Sequence, residues 1–257
     1  MSYSYITFKD KNPIKRWLQN QRLLSAIRLA HNSNKNQQVI CDFGAGNGEL
    51  CKLLGKIYPD AKIICYEPTL SLLNEARENL KGIEHVIFCQ DSNSIALESI
   101  DLLFCLEVFE HLPPKETDDA LDLISRILSS EGRLVVGIPV EIGVPALYKG
   151  IFRMSRRFGA FDATFKNVLL SFIGFPPNVR PTSEISPGLN FYIEHMGFNF
   201  HRFKEKFGAR FKILKISASP FPFFTYWLMP EVYFTAIKAN ASFRPTPLGG
   251  ADEIQRS

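Results

Sequence analysis

Three glycines at alternate positions follow an aspartate in the string Asp42-Phe43-Gly44-Ala45-Gly46-Asn47-Gly48, between a short apolar run and an apolar-periodic one. A strand that ends in such a bend and reopens as a helix brings backbone N–H groups and a helix N-terminus close to a ligand. Gly44, Gly46 and Gly48 remove the side chains that would block that approach. The spacing differs from the G-x-G-x-x-G of dinucleotide folds, because the third glycine comes one residue early and an acid stands two before the first. Glu67 lies 23 residues after Gly44, where an acid can accept both hydroxyls of a ribose. Asp91 follows another apolar run, and the string "LEVFEHLP" with Glu107, Glu110 and His111 follows a fourth.

The elements that must carry these groups alternate in type. "QQVICDF", "AKIICYE", "IEHVIFCQ", "SIDLLFCLE" and "RLVVGIPV" read as strands, and "GELCKLLGKIYP" and "SLLNEARENLKG" as helices. "PPKETDDALDLISRILSSEG" reads as a helix opening on prolines and acids and closing at Gly132. Short, regular units of this kind predict a parallel sheet with right-handed crossovers, with ligands bound at the C-terminal strand ends. Asn12 and Pro13 start an N-terminal amphipathic helix. From Gly143 to about Pro187 the chain reads as helical insertion and loop without a strand. Beyond it "GLNFYIEHMGF" and "FHRFKEKFG" read as helices. "RFKILKISA" and "EVYFTAIKA" read as strands whose connection is too short for a parallel crossover, so they form an antiparallel pair.

The order of these groups resembles the class I S-adenosylmethionine-dependent methyltransferases, of the methyltransferase type 11/12-like group with ubiquinone-type and glycan-modifying members. The resemblance spans roughly residues 38–140 and the closing strands. It implies an α/β Rossmann-like fold: a mostly parallel seven-stranded sheet with an antiparallel last strand, helices on both faces, and a helical insertion after strand 5. The whole is expected as one domain, with an N-terminal helical segment at 1–37, a cofactor-binding core at 38–140 and an acceptor lid at 141–190. A closing helix and strand pair at 191–240 and a loose tail at 241–257 complete it. The cofactor implied is S-adenosylmethionine, released as S-adenosylhomocysteine. Asp42, Gly44, Ala45, Gly46 and Gly48 would border its methionine part, Glu67 and Pro68 its ribose, and Asp91 and Ser92 its adenine. Leu106 and Glu107 would line the methionine end, with His111 as the catalytic base or substrate-orienting group at the methyl-transfer position. The short "SNSIALESI" after Asp91 leaves little room for a helix there.

The remaining signals bound the function. Glu107 and Glu110 with His111 offer metal-ligand types, but the Asp/Asn cluster of the metal-dependent catechol-type enzymes is lacking, so no metal is assigned. Lys149, Arg153, Arg156, Arg157 and Lys166 stand against Asp162 among interleaved aromatics. Such a stretch can cover an apolar substrate or lie on a membrane, giving an expected peripheral contact through 144–175. The expected acceptor is a small or lipid-like molecule, with O-methylation favoured. Aminopropyl transfer on the same fold and a catalytically silent cofactor-binding scaffold are the alternatives. Nucleic acid is disfavoured, since the string after the fourth strand carries neither the Asn/Asp-Pro-Pro-Tyr/Phe order nor a Pro-Cys nucleophile. Five scattered cysteines, an N-terminus without an apolar core and no uncharged apolar run near the roughly 18 residues of a spanning helix lead to an expected cytoplasmic protein.

Overall fold

The computed structural model describes residues 13–30, 38–186, 188–223 and 227–239. The expected cap at Asn12 and the expected loose tail at 241–257 lie outside them. Five parallel strands form first: β1 (Val39–Phe43), β2 (Lys62–Tyr66), β3 (Val86–Cys89), β4 (Ile100–Leu106) and β5 (Leu128–Pro139). The closing strands β8 (Phe211–Ser219) and β9 (Glu231–Lys238) complete a seven-stranded sheet in the order β3-β2-β1-β4-β5-β9-β8. β9 runs antiparallel to both of its neighbours. The order reverses between β1 and β4, which is where open α/β sheets leave a crevice.

Helices cover both faces, which is why the strands read as continuous apolar runs. On one face α1 (Pro13–Ala30), α2 (Glu49–Ile57) and α3 (Leu70–Asn79) pack Ile27, Leu54 and Leu73 against Ile40, Leu102 and Phe104. On the other, α4 (Pro114–Ile127) and a C-terminal helix, Phe200–Gly208, pack Leu121, Ile124, Phe203 and Phe207 against Leu103, Val136 and Phe234. Alternate residues of β4 thus serve opposite cores, Leu103 and Cys105 one and Leu102 and Phe104 the other. In α1 the face turned to the core carries Leu23, Ala26, Ile27 and Ala30 at three- and four-residue spacing, as expected of an amphipathic helix, while Trp17 and Leu24 are exposed.

After β5 come α5 (Val144–Arg157) and α6 (Phe165–Phe172), then a two-stranded sheet of β6 (Thr182–Ser186) and β7 (Leu189–Tyr192), and α7, the Phe200–Gly208 helix. Two sequence expectations fail here. The segment before Pro187 does contain a strand, and "GLNFYIEHMGF" begins as the second strand of a hairpin instead of a helix. Thr182 pairs with Tyr192 and Glu184 with Asn190, across a turn where Gly188 has φ 80 and donates its N–H to Glu184 Oε1 at 2.6 Å. A short apolar run suits either period, and the cross-strand partner decides it. The 141–190 segment therefore ends inside a hairpin.

A third expectation fails at Gly132, which does not close α4. The helix ends at Ile127, and Leu128 already pairs with Ile100 across an irregularity in the β4–β5 ladder. A Cβ at Gly132 would sit 2.6 Å from the Ile100 carbonyl oxygen, so the glycine permits a close crossing of backbones. As expected after Asp91, only one turn of 3-10 helix, Ser92–Ser94, fills that connection.

Candidate active site

A cleft of about 360 Å³ opens at the C-terminal ends of β1, β4 and β5. Its lining brings together Asp42, Gly44, Ala45, Gly46, Leu106, Glu107 and His111 of the sequence-predicted set. Gly48, Glu67, Pro68, Asp91 and Ser92 are not part of that lining. Glu67 and Pro68 follow β2 and Asp91 and Ser92 follow β3, so both pairs flank the glycine loop on the side away from β4.

The loop is built differently from the simplest expectation. Gly44 and Ala45 both donate their N–H groups to the Tyr66 carbonyl at 2.9 Å, and Gly46 donates to Glu67 Oε2 at 2.9 Å. These amides bind the end of β2 and are turned away from a ligand. What the glycines provide is close approach. Gly44 has φ 79, and a Cβ there would lie 2.5 Å from Val108 Cγ2. Gly48 has φ 82, and its Cβ would lie 2.7 Å from Leu80 Cδ1, so this third glycine packs α2 on α3. Gly46 faces open space.

Asp42 is buried at the end of β1 and accepts a weak hydrogen bond from Cys51 Sγ at 3.4 Å. Burial, with nearby Glu67 adding to it, pushes its pKa up to about 7. Glu67 is also buried, and Thr69 N–H donates to its Oε1 at 2.9 Å. Burial raises its pKa, opposed by the Thr69 and Gly46 amides. The Thr69 hydroxyl bonds it as well, which leaves the carboxylate about one lone-pair site for a further hydroxyl donor. Asp91 holds the Asn93 amide at 2.9 Å, as a cap of the 3-10 turn.

At the end of β4, Glu107 takes the left-handed backbone conformation, φ 56, uncommon for a residue with a side chain. Its amide donates to the Gly137 carbonyl at 2.9 Å, and its carboxylate meets Arg22 of α1 at 3.4 Å. Burial works against the charge of Glu107, but Arg22 and the neighbouring histidines hold its pKa below the ordinary value. Arg22 also pairs with the buried Glu231 of β9. Tyr233 completes this wall, and Gly137 makes room for it: a Cβ there would lie 2.7 Å from Tyr233 Cε1.

His111 ends a 3-10 turn, Phe109–His111. Its Nδ1 lies 2.8 Å from the Tyr192 carbonyl of β7, and since a carbonyl only accepts, Nδ1 carries the hydrogen. Its Nε2 faces His195 Nε2 at 3.2 Å. Burial lowers both imidazoles, His195 to about 4, so both are neutral at pH 7. Cys105 is buried, with its thiol pushed up by burial, and offers no nucleophile.

Sequence reasoning did not assign Gln19, Leu23, Asn47, Glu49, Leu50, Gly137 or Tyr233 to the site, all of which line the cleft. Asn47 and Glu49 stood beside the glycines and were within reach of a sequence reading. Gly137 and Tyr233 face one another only because β9 pairs antiparallel with β5. The fit to an amino-acid nucleoside is supported by Asn47: buried at the cleft, its Nδ2 has no hydrogen-bond partner and is free to donate.

Three of the five cations in the basic stretch after β5 are paired within the chain. Glu141, fully buried, receives Lys149 Nζ at 3.0 Å and Arg153 Nη1 at 2.8 Å. Arg157 pairs with Asp162 and with Glu194, beyond the hairpin. The sequence showed one acid within the stretch, Asp162, and folding adds two, Glu141 and Glu194. Its exposed apolar side chains remain, among them Phe152, Phe158, Phe165 and Phe175. Among the described residues no helix is long and apolar enough to cross a membrane.

Residues 41–136 match the methyltransferase domain family. Uncharacterized methyltransferases of Geobacillus thermodenitrificans and Geobacillus kaustophilus are 32% and 31% identical over 116 residues, 44% of this chain and 50% of theirs. The chain thus spans about half the length of these curated relatives. The PH0226 protein of Pyrococcus horikoshii shares the fold with TM-score 0.57 at 11% identity, over 93% of this chain and 100% of its own. The mitomycin 7-O-methyltransferase MmcR does so with TM-score 0.52 at 17% identity, over 93% and 61%. Residues 41–136, with the strand order and the cleft at the β1/β4 reversal, are thus similar to class I S-adenosylmethionine-dependent methyltransferase domains, a family whose cofactor is S-adenosylmethionine.

Proposed function

We propose that this protein transfers a methyl group from S-adenosylmethionine to an oxygen of a small-molecule, glycan or lipid-like acceptor in the cytoplasm. The observation that carries the reading is the cleft in which the glycine loop, Asp42, Glu107 and His111 converge at the C-terminal ends of β1 and β4. When bound, the cofactor supplies a methyl group on a positively charged sulfur with a good leaving group. The protein's part is then to bind, orient and exclude water.

In this reading Asp42 meets the cofactor's amino group and Asn47 Nδ2 donates to its carboxylate, with Gly44, Ala45 and Gly46 giving the close approach and Gly48 fixing the loop on α3. Glu67 meets the ribose hydroxyls, next to Pro68, and Asp91 and Ser92 meet the adenine. Leu106, Glu107, Gly137 and Tyr233 wall the methyl-transfer end. His111, neutral at pH 7, orients the acceptor at this end.

The exposed aromatic face of α5 and α6 favours an apolar acceptor, met at a lipid surface. With three of its cations internally paired, contact there is driven by apolar burial more than by charge. Incubating the full chain with S-adenosylmethionine and fractionated acceptor pools should produce S-adenosylhomocysteine in a pool-dependent manner. Cofactor binding with no product from any pool would favour the silent scaffold, and 5′-methylthioadenosine from decarboxylated cofactor would favour aminopropyl transfer.

A further inference from the structure

Glu110 is fully buried, yet neither of its carboxylate oxygens has a hydrogen-bond partner. A buried carboxylate without a partner is among the costliest arrangements a core can hold. Beside it stand His111 and His195, and one donor atom from each of the three residues lies within 4.8 Å of the others. The two imidazole Nε2 atoms are 3.2 Å apart. Two nitrogens bound to one ion at about 2.0–2.1 Å are separated by about 2.8–3.4 Å for octahedral to tetrahedral angles, so the observed edge already fits.

The surroundings are those of a ligand set. His111 donates its Nδ1–H to the Tyr192 carbonyl, which leaves the Nε2 lone pair aimed at the cluster. Arg180 fixes the turn by donating Nη2 to the Glu110 carbonyl at 2.6 Å, and stacks over Tyr192 at 4.0 Å. Protonation of Glu110 would remove its charge but leave its hydroxyl and carbonyl as unpartnered as before. A simple hydrogen bond between the two imidazoles likewise does nothing for the carboxylate. An ion among the three satisfies all of them together.

We propose that Glu110, His111 and His195 form a binding site for one divalent first-row transition metal ion. Two imidazoles with one carboxylate suit zinc, manganese, iron or cobalt, and are poor ligands for magnesium or calcium, which take oxygen donors. His111 and His195 also line the cleft, so the ion borders the space next to Glu107. Resting on the methyl-transfer reading, the open position there takes an oxygen of a hydroxyl-bearing acceptor. The metal site itself stands independently of that reading.

The test uses the full chain, stripped with a chelator and titrated with Co²⁺ followed by visible absorption. One equivalent of saturable binding, displaced by Zn²⁺, is expected. Glu110→Gln and His195→Gln should each weaken it at least ten-fold. Because either substitution can disturb the core, Zn²⁺ is also added to the unsubstituted protein with ¹⁵N-labelled histidine. The Nε2 resonances of both His111 and His195 should move, and that of His201 should not. Absence of saturable Co²⁺ uptake, unchanged uptake in both folded variants, or resonance shifts confined to other histidines would overturn the site. Calorimetry with S-adenosylhomocysteine on the same samples separates the two ideas. Metal uptake without nucleoside binding removes the methyl-transfer reading and keeps the site, whereas nucleoside binding without metal uptake does the reverse.

Discussion

Replacing Asp42 with asparagine should change stability and cofactor affinity in opposite directions, each with its own pH dependence. Asp42 is buried, its hydrogen-bond partner is a thiol, and its nearest charged neighbour is another acid, Glu67. Its pKa rises from 3.8 to about 7, which at 1.36 kcal/mol per unit corresponds to about 4 kcal/mol. Since the folded protein holds this proton more tightly than the unfolded chain, the contribution is present below pH 4 and is lost as pH rises through 7. About 3 kcal/mol of it is lost between pH 5 and pH 8. Urea unfolding of both proteins at those two pH values isolates the residue, because Glu231, raised to about 7, and His195, lowered to about 4, titrate in both and cancel in the difference. The variant should gain about 3 kcal/mol relative to the parent on going from pH 5 to pH 8. Over the same interval the parent acquires the negative charge that meets the cofactor's amino group. The variant should therefore bind S-adenosylhomocysteine about 10- to 150-fold more weakly at pH 8, the scale of a lost charged hydrogen bond, and nearly equally at pH 5. A stability difference that is constant across pH, or an affinity ratio that does not change, would refute the reasoning.

Three further outcomes follow from the packing. Gly48→Ala places a Cβ 2.7 Å from Leu80 Cδ1 at a residue with φ 82, and should lose about 1–3 kcal/mol in denaturant unfolding; a loss below about 0.5 kcal/mol would contradict the packing role given to this glycine. Glu141→Gln leaves Lys149 and Arg153 without their shared buried carboxylate and should cost about 3–5 kcal/mol at pH 7. These cations hold the Glu141 pKa well below the usual carboxylate range despite burial, so the parent should keep this contribution at neutral pH and lose it only under strong acid, as a pH series of unfolding curves would reveal. Serine at the exposed Phe158, Phe165 and Phe175 should reduce co-sedimentation with neutral lipid vesicles several-fold while moving the melting temperature by less than about 2 °C; unchanged sedimentation would remove the lipid-surface reading.

The alternation of elements, the cores on both sheet faces and the glycine loop were legible because each rests on residues close in sequence. Period, caps and composition are local, and the β-α units through β5 follow from them. The misread pieces were those whose state is set from a distance. "GLNFYIEHMGF" was compatible with a helix until Thr182 and Ser183 supplied a strand to pair with. Gly132 looked like a helix stop, but it serves the crossing of β5 past Ile100. The cationic stretch looked unpaired because Glu141 precedes it and Glu194 joins it only through folding.

The chain's own order thus determined which strand ends would carry Asp42, Glu67, Asp91 and Glu107, since a parallel sheet with right-handed crossovers places successive C-terminal ends along one rim. Tertiary structure alone decided which of them share the cleft, that Arg22 enters it from α1, and that His195 meets His111 across the hairpin. Local periodicity fixes an element's conformation and the end at which a side chain sits. The distance between two side chains on different elements depends on how those elements pack, and charge pairing, shifted acidities and ligand geometry all depend on that distance.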